Sequence, residues 1–190
     1  MGTAELAILE AKKEVVKFSE ISLRHVRMVK DLLVEKDKKK AKKLVKRIKK
    51  YEEITDNIEA EITKYLMKVS SKQLSNESSK LVRTMLSVIK DLEQMSDICY
   101  QMSVNLDKKH DRKIWFSSEQ REGLLKQFKG VEDSLENMVK NLELGSAHVD
   151  LAHAAHLELA IDKKRDTMRK QHLENIEKGE YDYQNGMIYS

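Results

Sequence analysis

Three pairs of acids in this 190-residue chain share one spacing: Glu52/Asp56, Glu93/Asp97 and Glu158/Asp162. At i, i+4 of a helix both carboxylates project from the same face, where like charges are mildly destabilising unless a cation offsets them. Such pairs, brought together from different helices, would offer a set of hard oxygen donors. That chemistry suits Fe, Mn, Mg or Zn and is a recurring way to build metal sites inside helical bundles. Spacing alone does not single out these three, because Asp107/Asp111 and Asp162/Asp166 have it too. For any one pair the competing reading is a solvated or Lys-bridged helix face.

The elements that must position these acids are helices. The chain has no proline, six glycines and a 36% share of charged residues, and proline and glycine are what β-rich folds use between strands. An all-α fold follows. Polar breaks predict a first helix over Thr3–Leu33 and, after Glu35–Lys39, a second over Lys40–Val69. Ser70–Ser79 is a Ser-rich connection in which Ser75 can cap a third helix reaching Leu106. DKKHDRK then reads as a polar loop. Ser117 and Gln120 have capping-box spacing, with Phe116 placed for a hydrophobic staple. The fourth helix should stop at Gly145, and the fifth should run from His148 to Lys178 and stop at Gly179.

In the third helix Leu81, Met85, Val88, Leu92, Met95, Cys99, Met102 and Leu106 alternate steps of four and three, the seam of a bundle helix. Val82, Leu86, Ile89, Tyr100 and Val104 form a second apolar stripe. Glu93 and Asp97 interrupt that stripe, which points them towards a partner helix. Cys99 reads as core. A lone cysteine excludes an intramolecular disulfide and fits a reducing compartment. No run of 18 apolar residues suggests a membrane span, and the opening MGTAELAILEAKKEVV lacks the basic and apolar regions of a signal peptide.

KKYEEITDNIEAEI and HLELAIDKKRDTM each place a carboxylate four residues before an aspartate, late in a helix pair. Glu52 and Glu158 are 106 residues apart, as are Asp56 and Asp162. The chain therefore reads as two copies of a helical unit, residues 1–112 and 113–190. The same offset applied to Glu93 and Asp97 runs beyond Ser190, so the second copy is expected to lack its third helix. That would leave apolar surface on the fourth and fifth helices uncovered and favour a homo-oligomer.

VIKDLEQMSDICYQM (Val88–Met102) resembles the DLERIGD-type signature of PhoU proteins. YEEITDNIEAEITKYL (Tyr51–Leu66) is similar to the preceding helix of that family's repeat, and LELAIDKKRDTMRKQHLENIEKGEYD (Leu157–Asp182) resembles the second repeat. The opening LEAKKEVVKFSEISLRHV is more like the PhoU-like cytoplasmic C-terminal domain of bacterial sodium/phosphate cotransporters than like free-standing PhoU. The resemblance covers nearly the whole chain. It implies tandem three-helix bundles and a non-enzymatic role in regulating phosphate uptake. It also implies E(D)xxxD pairs that hold iron or zinc, with manganese a further carboxylate-bound candidate; here these fall on Glu52/Asp56, Glu93/Asp97 and Glu158/Asp162. The partners it implies are the transporter membrane domain or the phosphate-uptake machinery, and the location is the cytoplasm at the inner face of the membrane. Gln94-Met95-Ser96 stands where the family signature has Arg-Ile-Gly, and the fourth acidic pair is missing with the sixth helix.

Lys36–Lys50 holds ten Lys or Arg and one acid, so a +9 segment sits in a chain of net charge +4. Lys38, Lys39, Lys40, Lys42, Lys43, Lys46 and Arg47 form its core. A solvated helix start is the plain reading. An anionic membrane surface is the functional one, each basic residue near it being worth about 1 kcal/mol. Nucleic acid is disfavoured, since no aromatic interleaves the patch and no zinc-finger or RNP signature occurs. His153 and His156, at i, i+3 near His148, have the spacing for an adventitious Zn or Ni site, while His25, His110 and His172 read as surface residues. Gly-rich phosphate loops and GxSxG elbows are lacking. The chain thus reads as a regulatory domain, with a stand-alone helical adaptor that binds a protein partner without metal as the alternative and a di-metal carboxylate enzyme as the remote third.

Overall fold

Buried side chains recur every seventh residue along the first three helices, the heptad rhythm of helices that pack side by side. The computed structural model describes residues 3–144, 149–180 and 183–189. In α1 (Thr3–Val34) one buried column is Ile8, Val15, Ser22 and Val29, and a second is Ala11, Phe18, His25 and Leu32. In α2 (Lys38–Ser70) the column is Ala41, Ile48, Thr55, Ile62 and Val69. In α3 (Asn76–Asp111) Val82, Ile89, Ser96, Ser103 and His110 run beside Met85, Leu92, Cys99 and Leu106. These columns close α1, α2 and α3 into a three-helix bundle in which every pair of helices packs.

The remaining helices extend the bundle sideways. α4 (Ser118–Leu144) packs on α1, α5 (Leu151–Glu177) packs on α4, and the short α6 (Tyr183–Tyr189) packs on α5. Phe128 and Leu135 are buried on α4. Its buried Glu132 forms an ion pair with Lys30 of α1, a charge contact rather than an aligned hydrogen bond. Arg27 reaches Glu136 at 2.5 Å beside it. Gly130 lets α5 approach closely: a Cβ there would stand 3.0 Å from Ile161 Cγ1. α5 buries only His172 fully and leaves Leu151, Leu159, Leu173 and Ile176 exposed. None of the described helices is long and apolar enough to cross a membrane.

The helix ends follow local chemistry. Ser75 accepts from the Ser78 amide. Ser117 and Gln120 exchange side chain-to-backbone hydrogen bonds at 2.9 and 3.1 Å, a complete capping box. Gly179, at φ +67°, ends α5, and the Glu180 and Gly179 amides reach back to the Asn175 and Ile176 carbonyls.

Four expectations are corrected. The third helix does not stop at Leu106 but continues through DKKH to Asp111, because Lys109 and His110 prolong its buried columns. His25, His110 and His172 are not surface residues; they are 0%, 5% and 6% exposed. Phe116 makes no hydrophobic staple, since the residue four into α4 is Arg121; its ring lies 5.7 Å from that of Tyr189. α5 begins at Leu151 behind an Asp150 cap, while Gly145 and His148 lie outside the described residues. Beyond α5 the described residues hold one further short helix, the seven-residue α6.

Candidate metal centre

α2 and α3 form a hairpin about the 71–75 connection, with Glu52/Asp56 and Glu93/Asp97 each about five helical turns from it. Equal distance from the turn on antiparallel helices places the two pairs side by side. Donor oxygens of Glu52, Asp56 and Asp97 lie within 4.8 Å of one another. Glu93 belongs to the same field: burial and then the charges of Asp97, Asp56 and Glu59 hold it above the usual carboxylate range. Glu52 is raised by burial, then by Asp56 and Asp97; Asp56 is raised by burial, then by Asp97 and Glu59. Lys49 pulls Glu52 the other way and is outweighed.

Among the described residues no Lys or Arg forms an ion pair with Glu52, Asp56, Glu93 or Asp97, and this separates them from the other acids at the same spacing. Asp107 and Asp111 are bridged by Lys42 at 3.0 and 3.1 Å, with Lys38 at 2.9 Å from Asp111. Asp162 and Asp166 are bridged by Arg165 at 2.6 and 2.9 Å. Carboxylates raised in the fold bind more protons there than in the unfolded chain, so the cluster lowers stability as pH rises through the carboxylate range. A divalent cation at that point would reverse the effect. With oxygen donors only, the set fits hard ions such as Mn and Fe better than a closed nitrogen–sulfur zinc site.

A buried polar contact lies directly beneath the carboxylates. Thr55, between Glu52 and Asp56, meets Ser96, next to Asp97, with their hydroxyl oxygens 2.6 Å apart. Ser96 Oγ lies 2.9 Å from His25 Nδ1 of α1. All three residues are at most 1% exposed. Ser96 occupies the glycine position of the DLERIGD signature, and its hydroxyl is absorbed by these two partners. The contact fixes the register of α2 against α3, and with it the spacing of the acids. Thr55, Ser96 and His25 escape notice as site residues in the sequence, although each falls on a heptad column.

The remaining candidates stand apart. Glu158 is exposed on α5 and Asp162 is engaged by Arg165. Among the described residues no third His, Cys, Asp or Glu gathers with them, nor with the exposed His153 and His156. In the basic segment Lys38 and Lys42 are tied to α3 as above, and Arg47 lies over the Tyr51 ring at 5.8 Å. Lys39, Lys40, Lys43 and Lys46 are exposed without an ion pair among the described residues.

Residues 15–105 match the family model of the PhoU domain. The match spans most of α1, all of α2 and most of α3, and includes Glu52, Asp56, Glu93 and Asp97. Neither a curated protein nor a solved structure matches the chain. Fold and family match together define an all-helical bundle in which residues 15–105 are similar to the PhoU domain.

Proposed function

We propose that the chain is a regulatory or sensing PhoU-like module of phosphate uptake, acting as the cytoplasmic domain of a sodium/phosphate cotransporter and binding Fe, Mn or Zn through Glu52, Asp56, Glu93 and Asp97. One observation carries the metal part: within the segment matching the PhoU domain, Glu52, Asp56 and Asp97 converge from α2 and α3 with Glu93 in the same field, and among the described residues no cation forms an ion pair with them. Regulation rather than catalysis accords with the family and with a site made of like groups in like surroundings, where acid–base chemistry needs groups driven apart. Glu158/Asp162 would serve as a second, weaker locus on α5.

The test is phosphate uptake in cells whose own copy of this gene is deleted. Resupplied wild-type chain should restore normal uptake at high external phosphate, and Glu52→Ala/Asp56→Ala should not. Uptake indifferent to the deletion would overturn the reading.

The exposed lysines of α2 support a place against an anionic membrane surface. Changing Lys38, Lys39, Lys40, Lys42 and Lys43 to Gln should abolish co-sedimentation with phosphatidylserine vesicles at low salt, by the loss of about 1 kcal/mol per charge. Binding unchanged by the five substitutions would remove the lipid from the account. The second reading, an adaptor without metal, draws on the exposed Leu151, Leu159, Leu173 and Ile176 of α5, which offer an apolar strip to a partner helix or a second copy.

A further inference from the structure

Between the α1–α2 turn and the start of α4 lies a cavity of about 340 Å³ whose walls include Glu35, Lys36, Lys109, Trp115, Phe116 and Arg121. Lys109 is 2% exposed. Its ammonium sits 4.9 Å from the Trp115 ring and 4.8 Å from the Phe116 ring, and forms no ion pair among the described residues. Burying a charge without an opposite charge is costly, and two aromatic faces offset part of that cost. The like charge of Arg121 works against it: burial first, and Arg121 second, pull Lys109 below the usual lysine range. Arg121 and Lys36 also lack an ion-pair partner among the described residues. Of the lining groups only Glu35 is negative, and its Oε1 accepts from the Asp37 amide at 2.8 Å. The lining thus carries three cations against one engaged carboxylate.

We propose that this cavity is an anion site for a phosphate-class dianion, held by Lys109 and Arg121 with Lys36 at the rim. A guanidinium offers paired donors to a tetrahedral oxyanion and an ammonium a point charge. A dianion brings the lining close to neutrality, which a halide or a monocarboxylate does not. The site is independent of the carboxylate cluster, since Lys109 lies about 18 Å along α3 from Asp97, at 1.5 Å per residue.

Trp115 is the chain's one tryptophan and lines the cavity, so its fluorescence reports on the site. The full chain, in phosphate-free buffer at constant ionic strength, is titrated with orthophosphate, glycerol phosphate and sodium chloride. A saturable change is expected with a phosphate and not with chloride. Tighter saturation by orthophosphate assigns the site to the free ion, and equal or tighter saturation by glycerol phosphate assigns it to an esterified group. Lys109→Met and Arg121→Gln should each weaken binding at least about tenfold, or 1.4 kcal/mol. Glu35→Gln should tighten it, a gain that damage to the fold would not produce. Arg121→Gln, at a half-buried position, keeps the test valid should Lys109→Met fail to fold. The proposal is overturned if neither phosphate saturates, if chloride acts equally, or if both cation variants bind like the wild type.

Discussion

A chain carrying Glu52→Gln and Asp97→Asn is expected to bind Mn2+, Fe2+ or Zn2+ more than about a hundredfold more weakly than the wild type. Outer-shell partners of metal ligands are themselves worth about 10–100-fold, and these two substitutions remove one carboxylate from each helix of the hairpin. The amides keep size and shape, so the α2–α3 packing over Thr55 and Ser96 should persist. The metal-free double variant should unfold at the same temperature as the metal-free wild type or higher, because Glu52 is already held above its ordinary range by burial, Asp56 and Asp97. Competition against a chromophoric chelator gives the affinity and thermal melts give the stability. Equal affinities would mean that the cluster is only a crowded helix face.

Acid should destabilise the protein through His25. Burial drops the imidazole from 6.5 to about 4, outweighing a pull from the Ile48 carbonyl at a geometry too poor for a hydrogen bond. A histidine lowered in the fold binds fewer protons there than in the unfolded chain, so its share of stability is whole above pH 6.5 and drains away as pH falls towards 4. At 1.36 kcal/mol per unit of difference the loss is about 3 kcal/mol. The carboxylate cluster acts in the opposite sense over the lower part of that window, so the informative quantity is the difference between wild type and a non-titrating variant. Urea unfolding at pH 7 and pH 4 should show His25→Gln losing about 3 kcal/mol less than the wild type on acidification. Identical losses would place the charged imidazole in water rather than in the bundle.

These two sites show what the sequence could and could not disclose. The helical class, the Ser75 cap and the Ser117–Gln120 capping box were legible because each rests on residues adjacent in the chain. That Glu93 and Asp97 point towards a partner helix was legible because they break an apolar stripe. Whether a pair of acids is neutralised was not, since the deciding cation can be remote: Lys42 reaches Asp107 from 65 residues away, and among the described residues nothing comparable reaches Glu52. His25, His110 and Lys109 were misplaced because residue type outweighed register, although His25 continues the column of Phe18 and Leu32, and Lys109 follows Met102 by one heptad. The seven residues of α6 fall below the length at which periodicity declares a helix; Tyr189 lies against Phe116 and His172 at 5.7 and 5.1 Å, a tertiary contact no local pattern encodes.

The most direct measurement is the metal content of the full chain purified without a histidine tag. The expected result is stoichiometric Fe, Mn or Zn in the wild type, lost in Glu52→Ala/Asp56→Ala with the fold intact by circular dichroism. A wild-type chain that is metal-free as isolated, and takes up none of the three ions when they are supplied, would contradict the account.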